Sequence, residues 1–181
     1  NNEDIITPKF QYQYDKWFEN GLFVVFMARF GYSNTNNRLH YISNQTDTTM
    51  TDNKWGWETT MNFMVQNYEK GMNFRIAYFS NKNIAPLEHK VQLIDNSNPL
   101  YITLGNPDLK DMRFHTISSY YANRWGKTLF NANMYTTIMQ NSIAMGTVYN
   151  RTTGKTTAKP ENVNGNWNID FNSEVDFPLV K

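Results

Sequence analysis

The chain has no cysteine among its 181 residues, which excludes a disulfide framework and any thiolate metal site. No apolar run approaches the roughly 20 residues of a membrane-spanning helix, so strands of a closed barrel are the one way it could cross a bilayer. An excess of one charge is also missing: 17 basic and 16 acidic residues leave a net charge of +1, with no block of like charge. Electrostatic capture of nucleic acid or anionic lipid therefore has no support. No secretory signal is present, and Asn1 reads as the start of a mature or cut chain. A P-loop, a Gly-x-Gly-x-x-Gly loop and a Gly-x-Ser-x-Gly elbow are all absent. His40, His89 and His115 are scattered, with no second ligand at metal spacing. The expectation is no catalytic residue, no metal, no cofactor and no enzyme.

What is present is 15% aromatic residues with many Asn and Thr, a composition of strands and polar loops and about one domain in length. The sharpest pattern is WNIDFNSEVDF from Trp167 to Phe177. Trp167, Ile169, Phe171, Val175 and Phe177 fall on one face, with Ser173 the one lapse, while Asn168, Asp170, Asn172, Glu174 and Asp176 fall on the other. Successive strand side chains point to opposite faces, so this is a strand between an apolar medium and water. Eleven residues is also about the length of a tilted strand crossing a bilayer.

The same reading predicts seven strands, at 8–18, 21–32, 55–66, 71–80, 111–122, 127–139 and 164–177. In the fourth, Met72, Phe74, Ile76 and Tyr78 oppose Asn73, Arg75 and Ala77; in the sixth, Phe130, Ala132, Met134 and Ile138 oppose Asn131, Asn133 and Tyr135. The second is apolar on both faces at first, which suits packing on its inner side as well. Short glycine-bearing turns around Gly21, Gly71 and Gly126 alternate with long connections, Ser33 to Lys54, Asn81 to Lys110 and Gln140 to Val163. In an up-and-down sheet that parity puts every short turn on one rim and every long loop on the other, as in transmembrane barrels with short periplasmic turns and long extracellular loops. The tryptophans fit an aromatic girdle: Trp17 and Trp125 at the short-turn rim, Trp55, Trp57 and Trp167 at the other.

From Tyr78 to Leu109 the chain reads YFSNKNIAPLEHKVQLIDNSNPLYITLGNPDL. A strand ending in Tyr78, then Pro86, Gln92-Leu93, Asn98-Pro99-Leu100 and Gly105-Asn106-Pro107-Asp108-Leu109 before His115, resembles the barrel of the TonB-dependent outer-membrane receptors. The resemblance is to their outer membrane protein beta-barrel family, related to SusC-like transporters. Asn164 to Trp167, NGNW, fits the same pattern. Physically, Pro99 and Pro107 fix φ and extend the preceding Asn98 and Asn106, and Gly105 suits a turn, so Pro86, Asn98, Pro99, Gly105, Asn106, Pro107 and Leu109 read as loop architecture rather than ligand contacts.

The resemblance implies that residues 1–181 are part of a larger outer-membrane barrel, with the plug and remaining strands outside it. Seven strands cannot close a wall of about 22 strands, and single-chain bacterial barrels have even numbers. It further implies a bacterial outer-membrane location and partners: the bilayer, the rest of the barrel and plug, the TonB energy-coupling complex and a substrate-binding surface lipoprotein. The expected function is import of a glycan, peptide or metal chelate. Lumen or ligand contacts are then expected from Asn73, Arg75, His89, Asn131 and Asp170. A passive porin or structural barrel, and a soluble β-sandwich that binds carbohydrate, are the alternatives.

Overall fold

The computed structural model describes residues 4–6, 8–43, 46–91 and 95–179; Gln92 and Leu93 of the loop motif lie outside them. The chain is all-β. Its strands are β1 (Asp4–Ile6), β2 (Lys9–Trp17), β3 (Leu22–Ser43), β4 (Thr46–Asn67), β5 (Met72–Asn83), β6 (Asp95–Asn98), β7 (Tyr101–Thr103), β8 (Met112–Trp125), β9 (Thr128–Gln140), β10 (Ser142–Asn150), β11 (Lys155–Val163) and β12 (Asn166–Asp176). Among the described residues there is one short helix, α1 (Leu87–Lys90), between β5 and β6.

The main sheet runs β2-β3-β4-β5-β8-β9-β12 with every neighbouring pair antiparallel. β1 continues the β2 edge in the same register against β3. The break between them is at Pro8, which has no N–H to give, and its carbonyl still accepts the Tyr32 N–H at 3.0 Å. Each of these seven strands overlaps one of the seven expected from alternation, although β3 and β4 run well beyond the expected 21–32 and 55–66. The sheet is open: neither the outer edge of β1 and β2 nor that of β12 has a partner among the described residues.

The three short turns lie on one rim, and in each a glycine takes positive φ: Gly21 at 74°, Gly71 at 62° and Gly126 at 61°. Asn67, buried at the end of β4, ties two of them together. Its amide donates to the Asn20 carbonyl at 3.2 Å and its side-chain oxygen accepts the Lys70 N–H at 3.0 Å.

The long connections differ from the loops expected. Ser33 to Lys54 is mostly strand, because β3 and β4 stay paired from Leu22↔Asn67 out to Ser43↔Thr46. Gln140 to Val163 contains the hairpin β10–β11, and β11 pairs in parallel with β7 to build a second sheet, β10-β11-β7-β6. Gly105 lies in irregular backbone and is not among the glycines with positive φ, so the turn expected of it falls to others. The backbone groups of these polar segments are satisfied by pairing with one another instead of by water.

Buried apolar residues are few and small in the main sheet, where they are Ala28 and Ala122. The rest are at the long-connection end: Ala85, Leu87, Val91, Leu109 and Ala158, with Pro160. Among the described residues, then, the buried apolar side chains gather at the small-sheet end, and no core lies against either face of the large sheet.

Candidate functional site

Pairing registers place every side chain of the main sheet on one of two faces. From β12, Trp167 pairs with Ile138, Phe171 with Met134 and Val175 with Phe130. Continuing through β9, β8, β5, β4 and β3, the same face carries Ile117, Tyr121, Phe74, Ile76, Tyr78, Met61, Phe63, Val65, Val24, Phe26 and Phe30. It ends on β2 with Phe10, Tyr12 and Tyr14. This apolar face is continuous across all seven strands and open to solvent, with Phe171 69% and Phe10 67% exposed. Each such aromatic exposes on the order of 100 Å², so β12 alone approaches the few hundred Å² that mark an interaction surface.

The face is bounded by aromatics. At the long-connection rim Tyr32 stacks on Trp55, with ring centres 4.8 Å apart, and meets Trp57 at a tilt, 4.5 Å away. Trp167 begins β12 on the same rim, and Trp125 stacks on Phe130 at 6.1 Å at the short-turn rim. Beyond Trp55 the β3–β4 hairpin continues with Asn34, Asn36, Asn37, Asn53 and Asp52, so pairing outlasts the apolar pattern. Trp17 differs from the other four. Its register partner is Phe23, on which it stacks at 4.4 Å, and both lie on the opposite face with Val25 and Met27. That stack accounts for the second apolar side of β3.

The opposite face mixes polar residues with Met64, Phe79, Phe114, Leu129 and Met139, and its polar groups are hydrogen-bonded to one another. Arg29 donates two bonds to Gln11 Oε1, at 3.0 and 2.7 Å, and Arg75 Nε donates to Asn62 Oδ1 at 2.9 Å. The Tyr120 hydroxyl donates to Asn131 Oδ1 at 3.3 Å, and the Asn168 amide to Asp170 Oδ2 at 3.0 Å. Of the expected contact residues, Asn73, Arg75, Asn131 and Asp170 are brought onto this one face. His89 is not; it sits on α1, beyond the strands.

The loop motif is organised around Asn106. Its N–H donates to the His89 carbonyl at 2.7 Å, its amide to the Pro160 carbonyl at 2.8 Å, and its Oδ1 accepts the Asp108 N–H at 3.2 Å. It thereby joins α1, β11 and the segment entering β8. Pro86 stands at the start of α1 with extended backbone, ψ 133°, as its lack of an N–H allows. Asn98 closes β6, and its Oδ1 accepts the Leu100 N–H at 3.0 Å across Pro99. Pro107 follows Asn106, and Leu109 is buried at 4% exposure.

Between this motif and the β3–β4 hairpin lies an ion-pair cluster absent from the sequence reading. Lys90 Nζ, nearly buried, is 2.7 Å from Asp52 and 3.7 Å from Asp111; Lys82 is 2.9 Å from Asp111. Burial alone raises the Asp111 carboxyl, but hydrogen bonds from Lys82 and the Ala85 N–H, with the charges of Lys82 and Lys90, outweigh it and hold its pKa below the ordinary value. Clefts of about 410 and 470 Å³ flank this cluster on either side of Leu87.

Among the described residues no three His, Asp or Glu side chains converge as a metal site, and no helix is long and apolar enough to cross a membrane. No protein-family model matches the chain, and no curated protein matches it either.

Proposed function

We propose that this chain is part of the wall of an outer-membrane β-barrel belonging to a TonB-dependent transporter that imports a nutrient. The observation that carries the membrane part is the apolar face. It spans all seven strands, is covered by no second layer among the described residues, and is edged by Trp55, Trp57, Trp125 and Trp167. A strand crossing lipid must pair every backbone group and turn its apolar side chains outward. The interior strands of the main sheet are paired on both sides and gather apolar side chains on one face, which supports this reading. The transporter part rests on the Tyr78-to-Leu109 resemblance.

In this reading Ile169, Phe171 and Val175 face lipid, and the face bearing Asn73, Arg75, Asn131 and Asp170 lines a hydrated lumen. The projecting β3–β4 hairpin, α1 and the small sheet stand on the extracellular side and gather ligand with the plug. Energy from the TonB complex then displaces the plug. These residues hold and guide a substrate and perform no bond chemistry.

The test is fractionation and uptake with the protein's own gene product. Recovery in the outer membrane, with uptake abolished when TonB is removed, is the expected result. Uptake that survives without TonB would mean a passive porin. Recovery in the aqueous fraction without detergent would mean a soluble β-sandwich.

A further inference from the structure

The two open edges of the main sheet run the same way. Six successive antiparallel pairings separate β2 from β12, so both descend from the long-connection rim toward the short turns. An all-antiparallel closure therefore requires an odd number of strands between them, and the strand beside β12 must ascend. The total then becomes even, as in single-chain bacterial barrels. Another copy of β2 with the same membrane orientation cannot pair with β12 antiparallel, because it also descends.

β12 carries a second instruction. Asp170, Glu174 and Asp176 line its lumen-side face, and their cross-strand partners on β9 are Tyr135, Asn131 and Leu129. None of the three has a salt bridge among the described residues, and all are exposed. The opposite face is Ile169, Phe171 and Val175. Opposite charges on facing strands stabilise a pair, and like charges destabilise it. Two copies of β12 laid side by side would set acid against acid, and their long connections would project from opposite rims.

We infer that the free edge of β12 is built to receive an ascending strand of alternating pattern, with Lys or Arg on its lumen face opposite Asp170, Glu174 and Asp176 and apolar residues on the other. The inference specifies the neighbour within the barrel proposed above, so it rests on that reading for the identity of the two faces.

The cysteine-free sequence makes a direct test possible. The Asn172→Cys chain, reconstituted in lipid bilayers, is offered synthetic eleven-residue strands of alternating pattern, each with one cysteine at its centre. One probe has lysine and the other glutamate at the alternate polar positions. Disulfide capture of the lysine strand is expected to exceed that of the glutamate strand by at least about threefold, the lower end for three facing pairs. The preference should vanish in the Asp170→Asn, Glu174→Gln, Asp176→Asn variant, which keeps the strand shape. Equal capture of the two probes, a preference that survives in that variant, or a predominant chain–chain disulfide would each overturn the inference. Flotation of the same samples with the vesicles separates the two readings. A chain that inserts without preferring lysine fails here alone, whereas one that prefers lysine but does not float contradicts the membrane reading and leaves the edge chemistry standing.

Discussion

The ammonium of Lys90 on α1 lies 2.7 Å from the Asp52 carboxylate on the β3–β4 hairpin, and the lysine is only 5% exposed. Two long connections, far apart in sequence, are thus joined by one nearly buried ion pair. Removing one member of such a pair costs up to about 3–5 kcal/mol when the other is left uncompensated. The two possible removals are unequal here. After Lys90→Met, Asp52 keeps Lys54 at 3.5 Å and Asp111 keeps Lys82 at 2.9 Å. After Asp52→Asn, Lys90 keeps among the described residues only Asp111, at 3.7 Å. The Asn variant is therefore expected to be the more destabilised, as read by denaturant unfolding in detergent.

Acid should loosen the same junction through Asp111. Its folded pKa lies below the ordinary value, so its contribution to stability is present above that unfolded value, near 4, and is lost as pH falls through the lower folded one. The protection factors of the α1 amides, which remove the intrinsic pH dependence of exchange, should stay constant from pH 7 to 5 and fall only below about 4. In Asp111→Asn that acid-induced loss of protection should be smaller.

The short turns depend on positive φ. Gly126→Ala meets no atom within 4 Å, so its cost is the left-handed backbone alone, about 1–2 kcal/mol. Gly71→Ala adds a Cβ 3.0 Å from Arg124 Cβ and should cost more. Urea midpoints of the two variants give the comparison.

Asn106→Ala withdraws the donor from the Pro160 carbonyl, within a buried residue, at about 1–3 kcal/mol. Asn106→Asp keeps the acceptor for the Asp108 N–H but not the donor, and should lose nearly as much. The Leu104 amide, bonded to the Ala158 carbonyl at 2.9 Å, reports the loosening by faster hydrogen exchange.

How far these features were legible in the sequence differs from strand to strand. From Trp167 to Phe177 each side chain is either clearly apolar or clearly polar, so strand and face both follow from alternation. The outer halves of β3 and β4 are Asn- and Thr-rich on both faces, and with no apolar medium on either side there is no period to read. The β10–β11 hairpin had a usable signal in Gly154, which takes φ 66° in its turn, but it stood within a segment weighed only by length. The place of Trp17 in the sequence gives its rim, and the parity of Phe10, Tyr12 and Tyr14 in the same strand sets its face opposite theirs. The ion-pair cluster unites residues 38 apart in sequence, and no local pattern marks such a pairing.

Phe171→Lys tests the face assignment energetically. A lysine on the lipid side at the bilayer midplane costs ~2–4 kcal/mol. Asn172→Lys, one residue on, should cost little on the acidic, hydrated side. Equal losses in bilayers would mean that the two faces of β12 are not distinguished by lipid.

The most direct measurement is a nitroxide scan of β12 in lipid bilayers, with single cysteines placed one at a time from position 167 to 176. Accessibility to oxygen, which concentrates in lipid, and to a water-soluble nickel chelate should alternate with a period of two. Positions 167, 169, 171 and 175 are expected to favour oxygen, and 168, 170, 172, 174 and 176 the chelate. Nickel accessibility at every position, with no alternation, would contradict a lipid-facing wall.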